Sequence, residues 1–146
     1  MYLSVDLFSD SNQSCVNFIE LIYMYVNTHI NNYTFKTKVL TKKMEIMMGM
    51  MGKRFTKEFD ALLFVMNEPT SSFWMKNCIV PLDVVFVDNN KITKIYHNCP
   101  PCQLADDKCP RYKGTGNLVI EFPGGTCKRL NIKRGNHVFF VNWTKI

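Results

Sequence analysis

The chain has 146 residues, 47% of them hydrophobic and 13% aromatic, and a formal net charge of +6, which describes one globular domain rather than a disordered chain. No run of about 18 apolar residues is present to span a bilayer. The longest apolar stretch, Phe18 to Val26, is broken by Glu20 and follows Asp6 and Asp10 instead of the basic residues of a signal peptide.

Charge divides the chain unevenly. Residues 1–32 carry −3 and no lysine or arginine, whereas residues 33–146 carry +9. From Lys108 onward eight basic residues face the single acid Glu121. This is a field that attracts phosphate or acidic partners, or a solvated face. Lysine (14) and asparagine (14) far outnumber arginine (4) and alanine (2), a balance that matches AT-rich coding, as in many bacteria, phages and large DNA viruses.

Residues 1–32 read as an extension with a short helix near 15–27, capped by the polar Ser9–Ser14 stretch. Residues 33–40 alternate, with Tyr33, Phe35 and Val39 on one face and Thr34, Lys36 and Lys38 on the other, which predicts a half-buried strand. Met44, Met47, Met48 and Met51 then recur at helical spacing, and their expected role is core packing, with an adaptable partner face as the alternative. Gly49 and Gly52 mark a C-cap or a close approach. Further strands are expected at 61–66, 73–76, 83–87, 92–97, 117–122 and 137–142, with Asp88–Lys91 as a hairpin turn. A Cys/Pro loop covers 98–116, and residues 127–132 form a helical turn. The expected fold is mainly β: a single sandwich or partly open barrel of about seven short strands and two short helices.

The blocks GMMGKRF, LLFVM, FWMKNCIVPLDVVFVD, KITKIYH, VIEFPGGTCKRLNI and RGNHVFF resemble, in order, the signature blocks of the DUF192 (UPF0127) family. The resemblance covers about residues 33–141 and leaves residues 1–32 outside a 33–146 domain. It implies a compact β-rich fold and no particular activity. Asn136 stands where the family usually has Asp, Gly125 replaces the usual Ala, and Asn131 the usual Gly. Asp60-Ala61 also occupies a place where the family usually has a Gly.

Four groups of residues have the chemistry for a site. If 73–76 and 83–87 pair as an antiparallel hairpin, Lys76 faces Asp83 with Cβ atoms roughly 5 Å apart. That pair is either a structural lock fixing register or, with Trp74 and Asn77, the floor of a pocket. The lock is the weightier reading, because no general base or nucleophile accompanies the pair. Cys99, Cys102, Cys109 and Cys127 form the second group. Cys-x2-Cys spacing admits zinc, but the ligand set is incomplete, and a disulfide such as Cys102–Cys109 fits better, with reduced thiols as a third possibility. No cofactor is expected. His97 and His137 have a structural role as their default. Lys128, Arg129, Lys133 and Arg134 form a basic patch without interleaved aromatics, a weak nucleic-acid motif. Sequons occur at Asn12, Asn32 and Asn142. No Ser-His-Asp set, phosphate loop or carboxylate cluster is assembled.

Together these features predict a non-catalytic binding or assembly protein, with other protein subunits as partners through residues 1–32 and the basic face. Its specific form is a minor structural component of a large DNA virus or phage particle. The alternatives are a ligand-binding protein or enzyme using the Trp74/Lys76/Asn77/Asp83 pocket, and a basic nucleic-acid-binding accessory protein.

Overall fold

The computed structural model describes residues 25–142. Nine strands and two short helices follow one another: β1 (Tyr25–Ile30), β2 (Tyr33–Leu40), α1 (Lys43–Met48), β3 (Ala61–Val65), β4 (Thr70–Phe73), β5 (Leu82–Asp88), β6 (Lys91–Cys99), β7 (Tyr112–Thr115), β8 (Leu118–Pro123), α2 (Thr126–Arg129) and β9 (Val138–Asn142). Seven of the strands form one sheet in the order β6-β5-β8-β3-β2-β1-β9, and β4 pairs with β7 in a second, small sheet. The large sheet curls into a half-barrel, and a bridge between Lys91 and His137 ties its two outer strands at one end.

Six of the seven strands expected from the pattern are present in outline; the expected strand 73–76 is not, because β4 ends at Phe73 and shares only that residue with it, and β1 and β7 are additional. β1 lies in the stretch assigned to the N-terminal extension, so residues 25–27 are strand, not helix. The remainder of that expected helix lies outside the described residues. β1 alternates strictly, with Val26, Thr28 and Ile30 buried, and the buried Thr28 and Thr37 hydroxyls bond each other at 2.7 Å. Burial of one face therefore settles its conformation over the apolar run that precedes it. β7 was hidden in the Cys/Pro loop because only four residues are strand. Gly114 lets it cross the Phe86 ring, where a Cβ would stand 2.3 Å from the ring carbon.

The central strands bury both faces. Leu62, Phe64, Val84, Phe86 and Val119 pack on one side with Met50, Met75 and four cysteines. Leu63, Val85, Val87, Ile120 and Phe122 pack on the other with Phe35, Cys127 and Ile132. β3, β5 and β8 accordingly read as continuous apolar runs. The methionine stripe does not enter this core. Met44, Met47 and Met48 are 68%, 57% and 47% exposed, and the methionine that is buried is Met50, beyond the helix. Gly49 caps α1 with φ 44 and brings the chain against the Phe64 ring.

Candidate anion-binding groove

The signature stretch from Phe73 to Asp83 is not a hairpin. β4 ends at Phe73 and pairs with β7, while β5 is flanked on both edges by β6 and β8. With neither edge of β5 free, Lys76 has no place opposite Asp83. The expected Lys76–Asp83 pair is replaced by two separate arrangements on opposite sides of the sheet.

Lys76 lies on the side of Met75 and Cys78. Its ammonium donates to the Leu104 carbonyl and pairs with Asp106 at 3.2 Å. Around it the backbone bonds from Cys102 N to Met75 O and from Asn77 N to Cys102 O measure 2.9 and 3.0 Å. Gln103 Nε2 donates to Cys78 O at 2.7 Å. The loop so held is closed by the Cys102–Cys109 disulfide, the expected pairing. Asn77 is exposed in a left-handed turn, φ 56. Trp74 is half-buried, with the Arg111 guanidinium 3.8 Å above its ring. Trp74, Lys76, Asn77 and Asp83 do not share one pocket.

Asp83 points to the other side and is fully buried. Three backbone N–H groups converge on it: Asn98 to Oδ1 at 2.7 Å, Gly125 to Oδ1 at 2.9 Å, and Cys127 to Oδ2 at 2.7 Å. A charged acceptor in a dry site binds such donors strongly. Asp83 thereby fixes the Pro123–Gly125 turn and α2 against β6. Gly125 has φ 88, a backbone that the family's usual Ala tolerates poorly.

What Asp83 fixes is one wall of a groove. The segment Cys127–Arg134 faces the outer part of β6 across a groove of about 660 Å³. Thr93, Lys94, Ile95 and His97 line it from β6, and Lys128, Asn131, Ile132, Lys133 and Arg134 from the opposite wall. Three of the four residues of the sequence-derived basic patch therefore converge; Arg129 is exposed and does not line the groove. Lys94 and His97 were missed as members because they lie some 30 residues away in sequence, and only the curl of the sheet brings them here. Among the described residues no carboxylate lines this groove. Lys94 borders the groove, but its ammonium is drawn to the Tyr96 ring, 4.5 Å away and outside the lining, while no ion pair holds Lys128, Lys133 or Arg134 among the described residues. Three cations without an ion pair, Lys128, Lys133 and Arg134, around one concavity make a site for an anion.

Burial holds the free thiols and Glu121 in their protonated forms. Burial pushes the Cys78 thiol up to about 12 and the Cys99 thiol up to about 11. Cys127 is raised as well, by burial and then by the Asp83 charge and its hydrogen bond to that carboxylate. Protonated thiols are poor nucleophiles and poor metal ligands. Cys102 and Cys109 are spent in the disulfide, so the expected cysteine group separates into one disulfide and buried thiols. Glu121 is buried on the opposite face from Asp83, and burial raises its carboxyl to about 8.

Comparison with known proteins places the chain by its fold. The model of DUF192, described as "Uncharacterized ACR", matches residues 25–140. No curated protein matches. Two solved structures share the architecture. One, a protein of unknown function from Novosphingobium aromaticivorans, is 26% identical with a TM-score of 0.67, covering 78% of this chain and 84% of that one. The other, described as a "putative transcription regulator" from Sinorhizobium meliloti, is 22% identical with a TM-score of 0.71, covering 81% of this chain and 95% of that one. The chain belongs to the DUF192 family, and the match begins at Tyr25, the first residue of β1.

Proposed function

We propose that this DUF192 protein acts by binding, and that its binding site is the basic groove between β6 and the Cys127–Arg134 segment. The observation that carries this reading is the convergence of Lys128, Lys133 and Arg134 on one concavity with no carboxylate of the described residues in its lining. A partner presenting several negative charges gains Coulomb attraction there, and surrenders it progressively as salt rises. The buried thiols, raised well above neutral pH, support binding over covalent catalysis. Asp83 acts as the groove's structural anchor and not as a contact to the partner.

The test is titration of the protein with poly-glutamate and with a single-stranded oligonucleotide at about 50 and 200 mM salt. The K128E/K133E/R134E variant, altered only at exposed positions, is expected to lose binding while keeping its thermal midpoint. Unchanged affinity in that variant would remove the groove as the site. A more specific role, as a minor component of a large DNA virus or phage particle, draws its support from the lysine- and asparagine-rich, alanine-poor composition. Mass spectrometry of purified particles tests it.

A further inference from the structure

The groove follows β6 at the point where that strand loses its last backbone partner among the described residues, and this narrows the kind of anion that fits. Resting on the groove reading above, we infer that the groove takes an extended acidic peptide, added as a strand to the open edge of β6 between Thr93 and His97.

β6 is the terminal strand of the seven-stranded sheet. Its outer edge is already used at one end by the protein itself. Ile92 N donates to Asn136 O at 3.0 Å, Gly135 N donates to Ile92 O at 2.8 Å, and Val138 N donates to Asn90 O at 2.8 Å. The edge therefore accepts an antiparallel backbone there. Past Ile92 the chain's own partner turns away, and the groove opens along the same line. Thr93, Lys94 and Ile95 all line it. The β5–β6 register shifts between Ile92 and Lys94, and the groove runs past that irregularity along the outer side of the terminal strand. The unpaired N–H and C=O groups of an edge are a template for another extended chain.

The side chains then select which chain. Lysine on an edge strand, as Lys94 is on β6, repels strands in general, but Lys128, Lys133 and Arg134 on the opposite wall favour one carrying carboxylates. Ile95 and buried Ile132 form the apolar part of the lining and suit every second side chain of a strand, giving an alternating acidic–apolar pattern. Among the described residues no Phe, Tyr or Trp lines the groove, and His97 supplies its one ring. Tyr96 packs instead against Tyr112 and Phe86, so the lining offers a single imidazole in place of the row of stacking rings that single-stranded nucleic acid uses.

The probe is an end-blocked nonapeptide of alternating glutamate and valine, titrated into the full chain. Two isomers, N-methylated on one or the other set of alternate residues, separate edge pairing from charge. The pattern fixes which edge faces β6, so one isomer is expected to bind like the parent and the other about tenfold more weakly. Amide exchange at Thr93–His97 is expected to slow about tenfold on saturation with the parent peptide. Equal binding of both isomers, or unchanged exchange at those amides, overturns edge pairing while leaving the anionic groove in place. Binding of an oligonucleotide but not of the peptide, lost in K133E/R134E, has the same consequence. If no probe shows K133E/R134E-sensitive affinity, the groove reading itself falls, and the peptide proposal with it.

Discussion

Asp83 and Glu121 are carboxylates of adjacent strands in the middle of one sheet, Asp83 opposite Phe122 and Glu121 opposite Val84. One residue of register sends them to opposite faces. On its face Asp83 meets three converging amides. On the other face Glu121 Oε2 is buried without a partner, among Leu62, Val84 and the cysteine-rich cluster. Burial alone therefore does not decide what a carboxylate does. The supply of donors does: Asp83 organises a turn, a helix and a groove wall, whereas Glu121 is held in its neutral form by the absence of donors.

The sharpest way to break this contrast is to remove Asp83. Asp83→Ala leaves three amides unpaired at a buried site and is expected to cost roughly 3–5 kcal/mol in urea denaturation. Under native conditions, hydrogen exchange at Gly125 and Cys127 should accelerate with it. A cost below about 1 kcal/mol would mean that Asp83 is not the anchor of the groove wall.

Glu121 carries the opposite sign. Its folded value of about 8 lies above the reference of 4.5, so the native state holds the proton more tightly than the unfolded chain. Its contribution is intact below the unfolded value and is lost as pH rises through the window from about 4.5 to about 8. Glu121→Gln keeps the shape without the charge. It is expected to be near neutral at pH 4 and to stabilise by about 1–3 kcal/mol at pH 9, after allowing for a buried amide. Parallel stability–pH profiles for the two proteins would contradict the orphan carboxyl.

Below these stands the disulfide loop on the Lys76 side. Reduction of Cys102–Cys109 releases a loop of seven-residue separation and is expected to cost about 2 kcal/mol on the chain-entropy model. The loss should be local. Amides of Asn77 and Cys102, which bond across that loop, should exchange faster, while Cys127 N, bonded to Asp83 across the sheet, should keep its protection.

The strand pattern was largely legible because buried strands write their burial into the sequence. Residues 83–87 and 118–122 read as apolar runs, and Asp88-Asn89-Asn90-Lys91 marked the β5–β6 turn, where both asparagines are left-handed. β1 was not legible because Tyr25 and Val26 continue an apolar run that mimics a helix face. The site was half legible. Charge density marked Lys128, Lys133 and Arg134, but nothing local tells that Lys94 and His97 border the same groove. The pairing of Lys76 failed for a related reason. A hairpin is the shortest connection between neighbouring runs, and the sequence does not disclose that β6 and β8 already occupy both edges of β5.

The smallest effects test the signature itself. Lys76 and Asp106 form an ion pair whose side chains are 16% and 72% exposed, so most of the Coulomb term is screened by solvent. A double-mutant cycle with Lys76→Met and Asp106→Asn is expected to show coupling of about 0.5 kcal/mol, falling with salt. The same cycle with Lys76→Met and Asp83→Asn should be additive within about 0.3 kcal/mol, because the sheet lies between them and they share no donor or acceptor. The order of the two couplings matters more than their size. Reversal, with Lys76 coupled to Asp83 and not to Asp106, would restore the hairpin lock and detach Asp83 from the groove. The expected order keeps the two polar residues apart, each fixing a different loop on its own side of the sheet.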